Sequence, residues 1–320
     1  MCYSAQVRQE HDSYVREFGA DISIGEYHRI YWERDRDPRM KLPRGMDFAF
    51  LRDISGDPAI AEIQELIRKH DAGQTSKLQQ EVFAQRKRLA DAERTLQTKT
   101  TKAATESKRI ATDKVSRAMA QLADFQRRDA KDKDARIFLG WYAPVMVMEN
   151  GRRVVKPMRY QCRPAGMPAT FDRTHAGTYN ARRDHLGGFW RDLFGYKHGI
   201  AVVNAFFENV SRHNMEGRQL GDGEKEENVI LEFRPQPAQD MLVACLWSEW
   251  ERDGERLLSF AAITDEPPAE VAAAGHDRCI VPIKPENIDA WLNPDPANLA
   301  AQIAILEDRS TPYYENRMAA

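Results

Sequence analysis

Between Gly73 and Gly140 the chain contains neither glycine nor proline. A stretch of that length built from Ala, Gln, Lys, Arg and Glu lacks the residues that turn a chain and favours helix. Leu78, Val82, Leu89 and Leu96 recur at heptad-like spacing, and Val115, Met119, Leu122 and Phe125 form a second stripe. Between the stripes, the Thr-rich segment 98–105 loses the pattern. The spacing predicts two antiparallel helices over 74–135 with a turn near 98–105, a coiled-coil hairpin, with one long helix as the alternative. A hairpin of this kind serves more often as a spacer or contact arm than as a catalytic element, so any protein partner is expected there.

After Gly140 the texture changes to short apolar runs. Val145–Met148, Val154–Met158, Ile200–Phe207, Val229–Phe233, Met241–Trp247, Leu257–Ile263 and Ile280–Ile283 read as strands. Residues 2–7 read as one more strand and 9–18 as a helix. Segments near 183–195, 268–274, 285–292 and 296–307 read as helical. Strands in succession with few helices between them predict an α+β fold with a mostly antiparallel sheet. The expected organisation is a core of residues 1–30 and 136–310, an inserted hairpin over 74–135 and a tail over 311–320. Residues 31–73 are expected to be irregular, with charge, Pro and Gly from His28 to Pro58, followed by one short amphipathic helix over Ala59–His70, where Ile60, Ile63, Leu66 and Ile67 share a face.

Of the 320 residues, 42% are hydrophobic and 30% charged. This is enough for a core of one large domain or two modest ones, and no apolar run reaches the ~18 residues of a membrane helix. The first ten residues lack a basic segment followed by an apolar run, so no signal peptide and a cytoplasmic location are expected, at the nucleoid when bound to DNA. The four cysteines, Cys2, Cys162, Cys245 and Cys279, form no C-x-x-C pair, so no metal site and no cofactor are expected. The net charge of -2 conceals segregation: residues 151–200 hold 10 basic and 3 acidic side chains, a local surplus compatible with a phosphate-binding face.

Cys2 carries the most distinctive chemistry. If Met1 is removed, an amine and a thiol stand on adjacent carbons. The amine condenses with an aldehyde to an imine, and the tethered thiol closes a five-membered ring on it. Three later segments supply partners. Tyr179-Asn180-Ala181-Arg182 offers an amide and a guanidinium fork suited to phosphate. Phe206-Phe207-Glu208-Asn209 places a carboxylate at the expected end of an apolar strand, where partial desolvation raises its pKa towards the general-acid range. Gly275-His276-Asp277-Arg278 offers an imidazole for proton transfer near neutral pH.

In this order, Met1-Cys2, Ala143-Pro144, Asn180-Ala181-Arg182, Phe206-Phe207-Glu208 and His276-Asp277-Arg278 resemble the SOS-response-associated peptidase (SRAP) family of abasic-site-processing proteins. The resemblance covers the core and leaves residues 31–135 unmapped. It implies binding of single-stranded DNA and covalent capture of abasic sites as a thiazolidine on Cys2, without membrane association. It implies that Asn180 orients the Cys2 amine, that Glu208 moves protons during sugar ring opening and imine formation, and that His276 assists proton transfer or reversal. DNA contacts are expected from Arg182, Arg159, Arg163, Arg183, Arg278 and Tyr160. Tyr3-Ser4 replaces the family's Gly-Arg, Asn209 replaces the Trp after the glutamate, and Cys279-Ile280 replaces Met-Pro, so the DNA-contacting surface differs from the family pattern. A cysteine peptidase using the same residues, or a non-catalytic scaffold acting through the hairpin, are the alternatives.

Overall fold

The computed structural model describes residues 4–319. Cys2 and Tyr3 lie outside the described residues. The chain forms two units: Ile54–Ala130, and the remainder of the chain on either side of it.

The larger unit begins with β1 (Ser4–Val7), α1 (His11–Phe18), β2 (Asp21–Ile22), α2 (Ile24–Arg36) and α3 (Arg44–Leu51). The two last helices occupy the stretch expected to be irregular. In α2, Tyr27, Ile30, Tyr31 and Arg34 are buried at helical spacing, which makes one continuous inner stripe. The charge in that stripe is satisfied from α3: Arg34 Nη1 donates to both carboxylate oxygens of Asp47, at 2.9 and 3.1 Å. A partner thirteen residues away is invisible to a local reading of charge, so the segment reads as solvated when it is not.

The smaller unit is a helical hairpin of α4 (Pro58–Thr98) and α5 (Lys102–Gln126). Asp57 caps α4 by accepting the N–H groups of Ala59 and Ile60, Pro58 takes the first turn, and Thr101 caps α5 through the N–H of Ala104. The cross-pairs Glu93–Lys108 and Glu81–Lys114 make the helices antiparallel. The amphipathic segment 59–70 is the first part of α4 and not a separate helix, because Gly73 costs only about 1 kcal/mol inside a helix and nothing nearby offers a stop. The seam also differs from the expected stripes. Ala104, Ala111 and Ala118 are buried at seven-residue intervals along α5, opposite Val82 and Ala92, while Met119 is 44% exposed. Alanine gives no hydropathy signal strong enough to reveal such a seam.

The chain then returns to the larger unit with β3 (Arg136–Phe138), β4 (Tyr142–Glu149), β5 (Arg152–Tyr160), α6 (Phe171–Thr174) and β6 (Asn180–Arg182). Next come β7 (His198–Ser211), α7 (Arg212–Met215), β8 (Asn228–Gln236), β9 (Met241–Arg252) and β10 (Glu255–Asp265). It ends with α8 (Ala269–Ala273), β11 (Cys279–Ile280), β12 (Pro282–Ile283), α9 (Ile288–Leu292), α10 (Leu299–Glu307) and β13 (Tyr313–Met318). Ala143-Pro144 lies within β4, paired with Met158 and Pro157. Residues 311–320, expected as a tail, include β13, which pairs with β8.

Pairing runs β9–β10–β5–β4–β7 and closes through β7–β9, so five strands form a ring. The fold is α+β with a mixed, mostly antiparallel sheet and a barrel-like core; the parallel exceptions are β2–β5, β5–β10 and β6–β10. Alternation divides the ring residues into two apolar layers. Val145, Tyr160, Val203, Cys245 and Phe260 belong to one core. Met146, Ile200, Leu242 and Ala261 belong to the other, which is covered by Tyr14 of α1, Trp291 of α9 and Leu306 of α10. Each large apolar side chain buried this way contributes about 1.5–3 kcal/mol.

The segment 183–195, expected as a helix, is a short 3-10 turn at Arg183–His185 followed by further turns. Gly187-Gly188 interrupts helix formation, and Leu186, Trp190, Leu193 and Phe194 anchor the turns in the second core. At the end of these turns, His198 is buried and neutral. Its Nε2 accepts the N–H of Gly195 at 2.9 Å and its Nδ1–H donates to the carbonyl of Trp291 at 3.0 Å. Burial pushes its imidazole down to about 3.

Candidate functional site

β7 is fourteen residues long and leaves the ring partway along. Residues 198–203 pair with β9, whereas the later part pairs with β1 on one side and β8 on the other. Gln6 pairs with Ala205 but Val7 pairs with Val203, so Asn204 is an extra residue, a β-bulge. The bulge shifts the alternation by one. Ala201 and Val203 face the first core before it, and Phe206 and Val210 face it afterwards. Glu208 falls on that shifted, inward set. It is fully buried, and β7 continues past it to Ser211, so the carboxylate lies within a strand and not at its end.

His276 meets it there. Its Nε2 lies 3.2 Å from Glu208 Oε2, and its Nδ1 lies 2.8 Å from the carbonyl oxygen of Arg278. A carbonyl has no hydrogen, so the shorter contact assigns the proton to Nδ1 and turns Nε2 towards the carboxyl group. At 3.2 Å the imidazole and the carboxyl group are close enough to exchange a proton. Burial pushes the His276 imidazole below its ordinary value, so the neutral ring is favoured.

β10 gathers the other residues. One edge carries β6, with Ala262 opposite Asn180 and Thr264 opposite Arg182. The other carries β11, with Thr264 opposite Ile280. The N-A-R segment and the segment leading from His276 into β11 thus flank the same strand, and Asn180, Arg182 and Arg278 line one cavity of about 260 Å³. Asn180 is 6% exposed. Its Oδ1 accepts from Tyr160 Oη at 3.5 Å, and its Nδ2 is buried without an acceptor among the described residues.

Not every expected DNA contact faces this cavity. Tyr160 is 2% exposed, in the first core between Tyr179 and Phe260, where it holds Asn180 and has no face for a base. Arg159 and Arg163 both bind Asp172, at 2.8 and 2.5 Å, and Arg163 stacks on Trp250. Arg183 bridges Asp265 and Glu307. Arg182 pairs with the exposed Asp184 two residues on, and Arg278 lies 3.7 Å from the exposed Asp277. Exposed pairs of this kind are worth at most about 1 kcal/mol, so both guanidiniums can exchange their partner for a phosphate.

Three residues not singled out in the sequence also belong to this region. Arg136 donates to Ser4 Oγ at 2.9 Å and lies 3.6 Å over the ring of Phe207, so it ties the first described residue of β1 to β7. His175 and Phe189 line the cavity with Asn180. Arg136 lies outside the basic 151–200 stretch, and no sequence signal marks any of the three. No group of three or more His, Cys, Asp or Glu side chains that could hold a metal occurs among the described residues. No helix among them is long and apolar enough to cross a membrane.

The family described as SOS response associated peptidase (SRAP) matches residues 84–318, which takes in Asn180, Glu208 and His276 and does not reach Cys2. The chain belongs to the SRAP family. Membership supports a DNA-damage-associated function. Among solved structures, a Bordetella bronchiseptica protein is similar at 16% identity and TM-score 0.45, covering 58% of this chain and 87% of its own. A Bacteroides thetaiotaomicron protein is similar at 17% identity and TM-score 0.44, over 58% and 77%. A phage-related protein from Bordetella bronchiseptica is similar at 18% and 0.42, over 57% and 80%. No curated protein matches the chain.

Proposed function

We propose that this SRAP protein captures abasic sites in single-stranded DNA covalently through Cys2, after removal of Met1. The observation that carries the reading is the close Glu208–His276 pair, buried one residue beyond Phe207, which pairs with Ser4. Cys2 precedes Ser4 by two residues, and two residues of chain span at most ~7 Å. The reading requires the Cys2 amine and thiol to meet this pair within that length of chain.

The chemistry follows from these groups. The ring-opened abasic sugar presents an aldehyde. The Cys2 amine adds to its carbonyl carbon, and loss of water, assisted by a proton from the Glu208–His276 pair, leaves the imine. The thiol then adds across the C=N bond. A carbon–sulfur bond forms, the imine nitrogen takes up the thiol proton, and a five-membered thiazolidine results. Asn180, with its buried Nδ2 in want of an acceptor, holds an incoming amine or sugar oxygen. Arg182 and Arg278, with their weakly held exposed carboxylates, take the flanking phosphates.

The test is incubation of the Met1-processed protein, verified by intact mass, with an abasic single-stranded oligonucleotide, followed by a denaturing gel. A retarded band that disappears in Cys2→Ala is expected. No band from the processed protein refutes the reading, and DNA-independent turnover of a peptide would redirect it to the peptidase alternative.

A further inference from the structure

The cavity that holds Asn180 has one wall that the reaction does not use. Phe171 is buried, and His175 stacks on it with centroids 4.1 Å apart and planes 10° apart. Phe189 continues the stack at 6.3 Å and 28° from His175. The series ends in solvent: Phe189 is 50% exposed, and His175 is exposed as well. An aromatic ring left in water is usually mobile, but this one is held. Phe189 packs edge-on against Trp190 at 4.9 Å, and Trp190 is 3% exposed in the second core. The backbone of the turn is fixed on either side of that anchor, with Trp190 N–H bonded to the carbonyl of His185 and Phe194 N–H to that of Trp190. Thr174 Oγ1 meets His175 Nδ1 at 2.9 Å and fixes the second ring.

The same cavity is lined by Arg182, Arg278 and Asn180. A flat apolar face beside two exchangeable guanidiniums and a buried amide donor matches one nucleotide unit, base against ring and phosphate against cation. An apolar side chain of a protein partner would cover Phe189 but would leave the cations and the amide unanswered. We infer that the exposed ring of Phe189, backed by His175 and Phe171, forms a stacking platform for the nucleobase next to the reacting sugar. The inference rests on the single-stranded DNA reading above. It supplies the base contact that the buried Tyr160 has no free face to make.

The experiment uses the full-length protein and a single-stranded oligonucleotide carrying a tetrahydrofuran abasic analogue, which has no aldehyde, flanked by 2-aminopurine. Affinity is read by anisotropy across a salt series, and stacking by quenching of 2-aminopurine. One base stack lost should weaken binding by about tenfold to a hundredfold. Phe189→Ala is expected to do so and to abolish the quench, with no change in the salt dependence. Phe189→Trp is expected to restore both. Arg278→Ala should instead reduce the slope of log K against log salt by about 0.7, the signature of one phosphate contact on a single strand. If Phe189→Ala binds and quenches like the wild type while Arg278→Ala still lowers the slope, the platform is refuted and the DNA reading stands. If the wild type does not bind the oligonucleotide, both fall.

Discussion

His198 makes the folded state sensitive to acid in a way that can be measured in isolation. The ring is buried with Nε2 accepting from Gly195 and Nδ1 donating to Trp291, so protonation removes the acceptor and places a charge in the second core. Its folded value of about 3 lies below the ordinary 6.5. Between those values the unfolded chain binds more protons than the folded one, so stability is complete above about pH 6.5 and is lost as pH falls towards 3. Each unit of pH within the window removes about 1.4 kcal/mol. In His198→Gln this contribution is absent, whatever the variant costs at neutral pH. The stability gap between wild type and variant should therefore move by about 2.7 kcal/mol between pH 7 and pH 4.5 in favour of the variant. Urea unfolding followed by tryptophan fluorescence reads this directly, because Trp291 lies 4.0 Å from the His198 ring and Trp247 donates to the His198 carbonyl. A gap that stays constant with pH refutes the assignment of a neutral, buried His198.

Glu208→Gln keeps the shape of the side chain but removes the proton exchange, so the rate of crosslinking to an abasic oligonucleotide should fall by about 10²–10⁴-fold in a time-resolved gel. Asp47→Ala leaves the buried Arg34 guanidinium without its carboxylate and should cost about 3–5 kcal/mol in chemical denaturation, whereas replacing Arg34 and Asp47 together by apolar residues should cost much less. Ala111→Leu places three extra carbons in the buried seam between α4 and α5 and should destabilise the hairpin by about 1–3 kcal/mol, seen as an earlier loss of helical circular dichroism.

The strands of the core were legible because each is a run of apolar β-branched and aromatic residues bounded by turns, and burial on both faces removes any ambiguity about polarity. What escaped the sequence depends on partners distant in the chain. Arg34 looks solvated until Asp47 is seen beside it, and Arg159 and Arg163 look available to phosphate until Asp172 takes both. The turn of residues 183–195 reads as helix because Leu186, Trp190 and Leu193 are spaced like one, yet Gly187-Gly188 prevents it. Within the candidate site, the residue types of Asn180, Glu208 and His276 were readable, but their arrangement was not. The inward direction of Glu208 depends on one extra residue, Asn204, and a bulge leaves no mark in hydropathy. Had the strand run without it, the carboxylate would point to the other face, away from His276.

The three cysteines among the described residues have a practical consequence. Cys162, Cys245 and Cys279 are all buried, and burial pushes the thiols of Cys162 and Cys245 up to about 12 and that of Cys279 higher still. The thiolate is the reactive form, so none of them competes for an electrophile near neutral pH while the fold is intact. The sequence holds four cysteines. Any thiol that a maleimide titrates in the native protein is by subtraction the one at position 2, and its rate of labelling becomes a direct gauge of the accessibility and ionisation of that thiol.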